Sequence, residues 1–189
     1  MKKKKLSISI MAHPSREKYF GYLKEKLGDV PFSIDGSGSI WNNRKRAMMM
    51  YDENAQFHLV LQDDAIIGND FIRRAEQILN DDNIVYSFYF GNRRNMKKIA
   101  DKGMANGFVI SDWLTWGLAI CIPTKIIEDV IENCDRMHIK NDDTRIARYL
   151  RKRGIRIYYT MPSLIDHRAD IKSLVNDSIG RKARYFIGE

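Results

Sequence analysis

The sequence predicts an α/β fold: one layered domain with a mostly parallel central sheet flanked by helices. Three observations predict it. Short apolar, strand-like runs alternate with helix-like segments along the chain, the order that builds strand–helix–strand units. The run "FHLVLQ" at 57–62 is apolar almost throughout, as in a strand buried on both faces. The chain has 189 residues, 44% hydrophobic and 30% charged, which suits one soluble domain around a single core.

Each element follows from local chemistry. Leu6–Met11 alternates apolar residues with serine and reads as the first strand, stopped by "AHPSR". "EKYFGYLKEKLG" places Phe20, Leu23 and Leu27 on one helical face, with Gly28 as its stop. Phe32–Ile34 is a short strand before the glycine-serine loop "DGSGS", and "RKRAMMMYDENA" has helical propensity, with its methionines expected to fill the core. After 57–62 comes a helix from Asp70 to Leu79, then the aromatic strand "IVYSFYFG". The basic stretch "NRRNMKKIADKGMANG" precedes a β-like apolar segment, "FVISDWLTWGLAICIP". "TKIIEDVIENC" and "DDTRIARYLRKRG" are amphipathic helices, and "IRIYYT" is the last expected strand before the tail 161–189. No repeat or low-complexity linker divides the order, so 1–189 is expected to be one domain.

Composition excludes several classes. No apolar run approaches the roughly 18 residues of a membrane span. The basic start "MKKKKLSISIMAHPSREK" resembles a signal peptide only in its head, because Leu6–Met11 is too short an apolar segment. Residues 1–5 are expected to be a flexible basic tag on a cytoplasmic protein. Cys121 and Cys134 form no C-x-x-C unit, so neither a zinc site nor a disulfide framework is indicated. Net charge is +8, which favours polyanionic partners.

In sheets of this kind, ligands bind at the carboxyl ends of the strands. Ala12, His13, Pro14 and Arg16 follow the first strand, Asp35 and Gly36 the second, and Gln62, Asp63 and Asp64 the third. Two carboxylates at a strand end suit Mg²⁺ or Mn²⁺, hard ions that also take phosphate oxygens. The alternative is that Asp64 caps a turn and Asp63 is solvated. Arg16, Arg44 and Arg168 suit direct phosphate contacts, since guanidinium grips such oxygens in pairs. Asp142 and Asp143 stand at a helix start, where acidic residues serve capping and the dipole even without catalysis.

The order of these motifs resembles the nucleotide-sugar glycosyltransferases of the GT-A fold. "VLQDDAII" looks like their Asp-x-Asp-type motif in the local form (Glu/Gln)-Asp-Asp, with Gln62 where a charged ligand would stand. "WLTWGLAICIPTKII" is similar to the acceptor-side segment, with Trp113, Trp116 and Gly117. "KNDDTRIARYL" resembles the helix start that carries the base of inverting members. "MPSLIDHR", "SLV" and "GRKARYFIG" resemble the carboxy-terminal segment of small phage-encoded and bacterial glycosyltransferases. The resemblance implies a single GT-A (Rossmann-like) domain whose segment 160–189 closes the donor site. It implies a metal at Asp64 and His167, and a nucleotide-diphosphate sugar, UDP-sugar first, at the strand-end residues with Arg44, Arg168 and Lys172. It implies a base at Asp143, with Asp142 the alternative, and hence inversion. The basic residues Arg93 and Arg94, with the two tryptophans and Gly117, would border the acceptor, for which hydroxymethylated phage DNA or another polyanion is the expected class. Two rival classes remain open on the residues alone. One is a metal-dependent nuclease or phosphotransferase using Asp63, Asp64, Asp142 and Asp143 together; the other is a non-catalytic nucleic-acid-binding protein.

Overall fold

The computed structural model describes residues 4–93, 96–171 and 181–188. A seven-stranded sheet runs through the centre in the order β2-β1-β3-β7-β5-β8-β6. Its strands are β1 (Lys4–Ala12), β2 (Phe32–Ile34), β3 (Ala55–Gln62), β5 (Val85–Ser87), β6 (Phe108–Ser111), β7 (Ala119–Pro123) and β8 (Ile157–Thr160). A separate pair, β4 (Ala65–Ile67) and β9 (Ile165–His167), lies at the carboxyl end of β3. β7 runs against both neighbours and β6 runs against β8, while the other five share one direction. This is the expected α/β architecture, mostly parallel, with helices α1 (Phe20–Leu27), α2 (Ile40–Met48), α3 (Phe71–Ile78), α4 (Lys97–Asn106), α5 (Ile127–Asp135) and α6 (Asp142–Lys152) around it.

β3 is central because its side chains are apolar on both faces: Phe57, Leu59, Val60 and Leu61 are all buried. The serines of β1 alternate with Leu6, Ile8 and Ile10, yet they too are buried. They are satisfied by His58, whose Nδ1 lies 2.8 Å from Ser7 Oγ and whose Nε2 lies 3.0 Å from Ser9 Oγ.

Several elements depart from expectation. β1 begins at Lys4, so Lys4 and Lys5 belong to the strand rather than to a tag. The first helix is preceded by a 3₁₀ segment, Pro14–Tyr19, and it ends at Gly28 (φ +79°), a backbone setting that glycine adopts freely. α2 starts four residues earlier than expected because Ser39 caps it, its Oγ accepting from the Asn42 N–H. It also ends earlier, and only Met48 fills the core; Met49 and Met50 are exposed, at 61% and 37%. The basic stretch contains α4, stopped by Gly107 at φ +77°. The segment read as one β-like run is two strands, β6 and β7, which are not neighbours in the sheet. Both cysteines are buried and free. Among the described residues, no helix is long and apolar enough to cross a membrane.

Candidate active site

Parallel pairing of β1 with β3 sets Met11 opposite Gln62, and β2 brings Ile34 opposite Ala12, so three chain segments leave the sheet at one edge. The Asp63 N–H donates to the Met11 carbonyl at 3.1 Å, which turns the aspartate pair back over the end of β1. Asp63 and Asp64 are only 2% and 3% exposed. Their counter-charge is Arg16, whose Nη1 donates to Asp63 Oδ1 at 2.8 Å and to Asp64 Oδ2 at 2.6 Å. The His13 N–H adds a bond to Asp63 Oδ2 at 2.7 Å. Burial raises the Asp63 carboxyl, against the pull of Arg16 and that N–H. Burial works against the Arg16 charge as well, but the two carboxylates more than compensate and hold the guanidinium above its ordinary range.

The β4–β9 pair places Ala65 opposite His167, and His167 Nε2 stands 3.4 Å from Asp64 Oδ2. His167 Nδ1 lies 2.8 Å from the Arg168 carbonyl. In the neutral ring that contact puts the proton on Nδ1, so Nε2 turns a lone pair toward a carboxylate. Asp64 Oδ1 is buried and has no hydrogen-bond partner among the described residues. Adjacent ligands about 2.1 Å from an octahedral ion stand roughly 3 Å apart, so the Asp64–His167 spacing and the orphaned oxygen fit a divalent cation. Among the described residues, however, no group of three or more His, Cys, Asp or Glu side chains is placed to hold a metal. Two protein ligands are what this site offers.

A cavity of about 380 Å³ opens here, and Ala12, His13, Arg16, Asp35, Gln62, Asp63, Asp64 and His167 line it. Of the loop "DGSGS", Asp35 and Gly38 reach the cavity; Gly36 does not, and Pro14 is likewise outside it. Asp35 Oδ1 accepts from the Ser37 and Gly38 N–H groups at 2.9 and 3.1 Å, fixing the loop as a turn. Asn43 and Lys140 line the cavity too. Sequence reading missed both. Asn43 sits inside a helix whose start was misplaced, and Lys140 comes from a loop with no local signal of its own.

Arg44 is not a phosphate ligand in this arrangement. Its side chain is fully buried, Nε donating to Asp142 Oδ2 at 2.7 Å and Nη2 to the Gly117 carbonyl at 2.6 Å. Asp142 is therefore an ion-pair partner rather than a free base. Asp143, the next residue, is only part-buried and accepts from Thr144 Oγ1 at 3.2 Å. Burial and the Asp142 charge raise its carboxyl, offset in part by Thr144 and Arg44. A Cβ on Gly117 would sit 3.0 Å from Arg44 Nη2, 3.5 Å from Gln62 Nε2 and 3.6 Å from Asp143 Cβ. Gly117 is thus a close approach between Gln62 at the end of β3 and Asp143 at the start of α6, and of these two only Gln62 lines the cavity.

The remaining residues are placed as follows. Trp116 is packed edge-on against Phe90, Tyr89 and Tyr159 at 5.0, 5.7 and 5.7 Å, as part of the core, with the Arg93 guanidinium 5.5 Å from its ring centre. Trp113 is half-buried, and Tyr159 ties its loop by donating to the Trp113 carbonyl at 3.0 Å. Neither indole is an open stacking platform. Arg168 does not line the cavity; its guanidinium lies against the Tyr19 and Tyr22 rings at 4.5 and 4.9 Å. Arg94 and Lys172 lie outside the described residues.

No family model matches the chain, and no curated protein matches it by sequence. Similar solved structures include a nucleotidyl transferase from Methanothermobacter (14% identity, TM-score 0.47, covering 74% of this chain and 57% of that one). A Drosophila galactosyltransferase, determined with manganese, UDP-Gal and xylobiose, has 8% identity and a TM-score of 0.44, covering 94% of this chain and 70% of that one. A Bacillus anthracis protein described as a glucose-1-phosphate thymidylyltransferase has 12% identity and a TM-score of 0.48, covering 86% and 89%. These are partial likenesses. Substrate and reaction have to be argued from the side chains.

The arrangement has two chemical halves. One is an anion-and-cation site, where Asp63, Asp64, Arg16 and His167 meet. The other is a carboxylate of raised proton affinity, Asp143, at the start of α6. Gln62 lines the first, and Gly117 separates it from the second.

Proposed function

We propose that this chain is a glycosyltransferase that moves a sugar from a nucleotide-diphosphate sugar, UDP-sugar first, to an acceptor hydroxyl. The observation that carries the reading is the cavity at the carboxyl edge of the sheet. There Asp64, His167, Arg16, Asp35 and Gln62 converge, and Gly117 lies between Gln62 and Asp143, which stands outside the cavity lining. Asp35 holds its loop with Oδ1 and lines the cavity, where it would meet the nucleoside. Lys140 at the rim supplies a cation for the diphosphate.

Asp64 and His167 are the residues that would hold Mn²⁺ or Mg²⁺, which as a Lewis acid offsets charge on a departing diphosphate. The chain's own base is Asp143. Its raised carboxyl makes it a better proton acceptor than an ordinary aspartate. It takes the proton of the acceptor hydroxyl as that oxygen bonds to the sugar carbon, and the carbon–phosphate oxygen bond breaks with its electron pair going to the diphosphate. Attack opposite the leaving group inverts the sugar carbon. The exposed Arg93, Lys98 and Lys102, with Arg94, favour an anionic acceptor, and DNA bearing hydroxymethylated bases is the acceptor proposed.

The rival nuclease or phosphotransferase reading needs four carboxylates around one ion. Pairing of Asp142 with the buried Arg44 speaks against it. A screen of UDP-, GDP- and CMP-sugar hydrolysis with Mn²⁺ or Mg²⁺ tests the proposal. Asp64→Asn should abolish turnover with the fold intact. Asp143→Ala should block transfer and keep donor affinity within a few-fold by calorimetry. Metal-dependent DNA cleavage without sugar release would place the chain in the rival class.

A further inference from the structure

We propose that Arg16 is the resident counter-cation of the Asp63–Asp64 pair, and that a divalent ion enters the site only by displacing it. The inference rests on the reading of Asp64 and His167 as cation ligands. Two adjacent carboxylates at 2% and 3% exposure are not tolerated without a positive charge. Arg16, itself 7% exposed, meets that need with a single nitrogen bonded to both.

The competition is written into one atom. Asp64 Oδ2 receives Arg16 Nη1 at 2.6 Å and faces His167 Nε2 at 3.4 Å. An ion bridging Asp64 and His167 through that oxygen would stand beside a guanidinium, where little water is present to screen like charges. With Arg16 in place the ion finds two protein ligands. Once Arg16 withdraws, Asp63 Oδ1, now its partner at 2.8 Å, becomes available as a third. The position of Arg16 is itself fixed from both sides. It lies in the 3₁₀ segment Pro14–Tyr19, whose start is capped by His13 through the Ser15 N–H, and the His13 N–H binds Asp63. The arginine therefore belongs to the same rigid corner as the carboxylates. The resting site holds its own counter-cation without metal, and metal affinity is set by how readily Arg16 is exchanged.

The test is a calorimetric and EPR titration with Mn²⁺ alone, comparing wild type with Arg16→Met and with the double variant Arg16→Met, Asp63→Asn. The double variant removes one charge of each sign and keeps Asp64 and His167, so it decides the question if the single variant fails to fold. Both should bind Mn²⁺ at least tenfold more tightly than wild type, and adding His167→Ala should remove the gain. Equal affinity in wild type and the folded variants overturns the exchange while leaving the cation site standing. Absence of Mn²⁺ binding in all of them overturns the exchange and the cation-site reading together.

Discussion

Asp143 and His58 are both shifted by burial, with opposite uses. Burial and Asp142 raise the Asp143 carboxyl above its ordinary 3.8, so the fold holds the protonated acid more comfortably than the ion. Stability is then lost as pH rises from 3.8 through the raised folded value, and the loss persists at neutral pH. Asp143→Asn should melt at a higher temperature than wild type at pH 7, and the gap should close below pH 3.8. A variant no more stable at pH 7 would show that the carboxylate is well solvated. His58 is lowered from 6.5 to about 4, chiefly by burial and against the bonds to Ala47 and Ser7. Its neutral ring contributes stability that is complete above pH 6.5 and lost as pH falls through about 4. Urea unfolding between those values should show His58→Gln losing stability less steeply than wild type, by up to about 1.4 kcal/mol per pH unit. Equal slopes would mean that His58 takes up its proton alike in the folded and unfolded chain. Asp143 was legible in the sequence as an acidic helix start. The Arg16 bridge was not, since nothing local ties residue 16 to carboxylates 47 and 48 positions away.

At the scale of elements, the sequence disclosed what is apolar and continuous and concealed what is short and distant. β3 and its terminal aspartates were legible because a strand buried on both faces has an unmistakable composition. β4 and β9 were not, because each has three residues and the partner lies about a hundred positions away. That pair is nevertheless what delivers His167 to Asp64. β6 and β7 were read as one run because the loop between them, "DWLTWGL", is as apolar as the strands. Arg44 was misread for a similar reason, as its partner Asp142 lies 98 positions on. The β4–β9 pair also has a vulnerable point in Gly68. A Cβ there would come within 2.5 Å of the Ile187 carbonyl oxygen and 2.7 Å of that of Leu164. Both obstacles are backbone, so the chain has to move. Gly68→Ala should cost about 1–3 kcal/mol in urea unfolding and weaken Mn²⁺ binding as His167 is drawn from Asp64. Unchanged stability would mean that the 181–188 segment yields freely.

Over the whole molecule, charge is the property that most constrains the acceptor. The chain carries a net charge of +8, and Arg16 and Arg44 are already committed to buried carboxylates. Lys140 lines the cavity itself, and outside it the basic stretch offers Lys97, partly neutralised by Asp101 at 2.7 Å, and the exposed Lys98 and Lys102. Arg93 is exposed as well and stands over Trp116, joining this stretch to the loop that Gly117 brings against Asp143. A polyanion held here would release about 0.9 counterion per neutralised phosphate on duplex DNA, and the log–log salt slope counts such contacts. Reversing Arg93, Lys98 and Lys102 to Glu should therefore weaken binding of a labelled DNA duplex and flatten its salt slope by about 2–3, read by fluorescence anisotropy over a KCl series. Donor hydrolysis in water should hold, because none of the three lines the cavity of Asp63 and Asp64. An unaltered slope would remove nucleic acid from the acceptor proposal and leave the stretch as a solvated helix face. A parallel loss of donor hydrolysis would instead move these cations to the diphosphate.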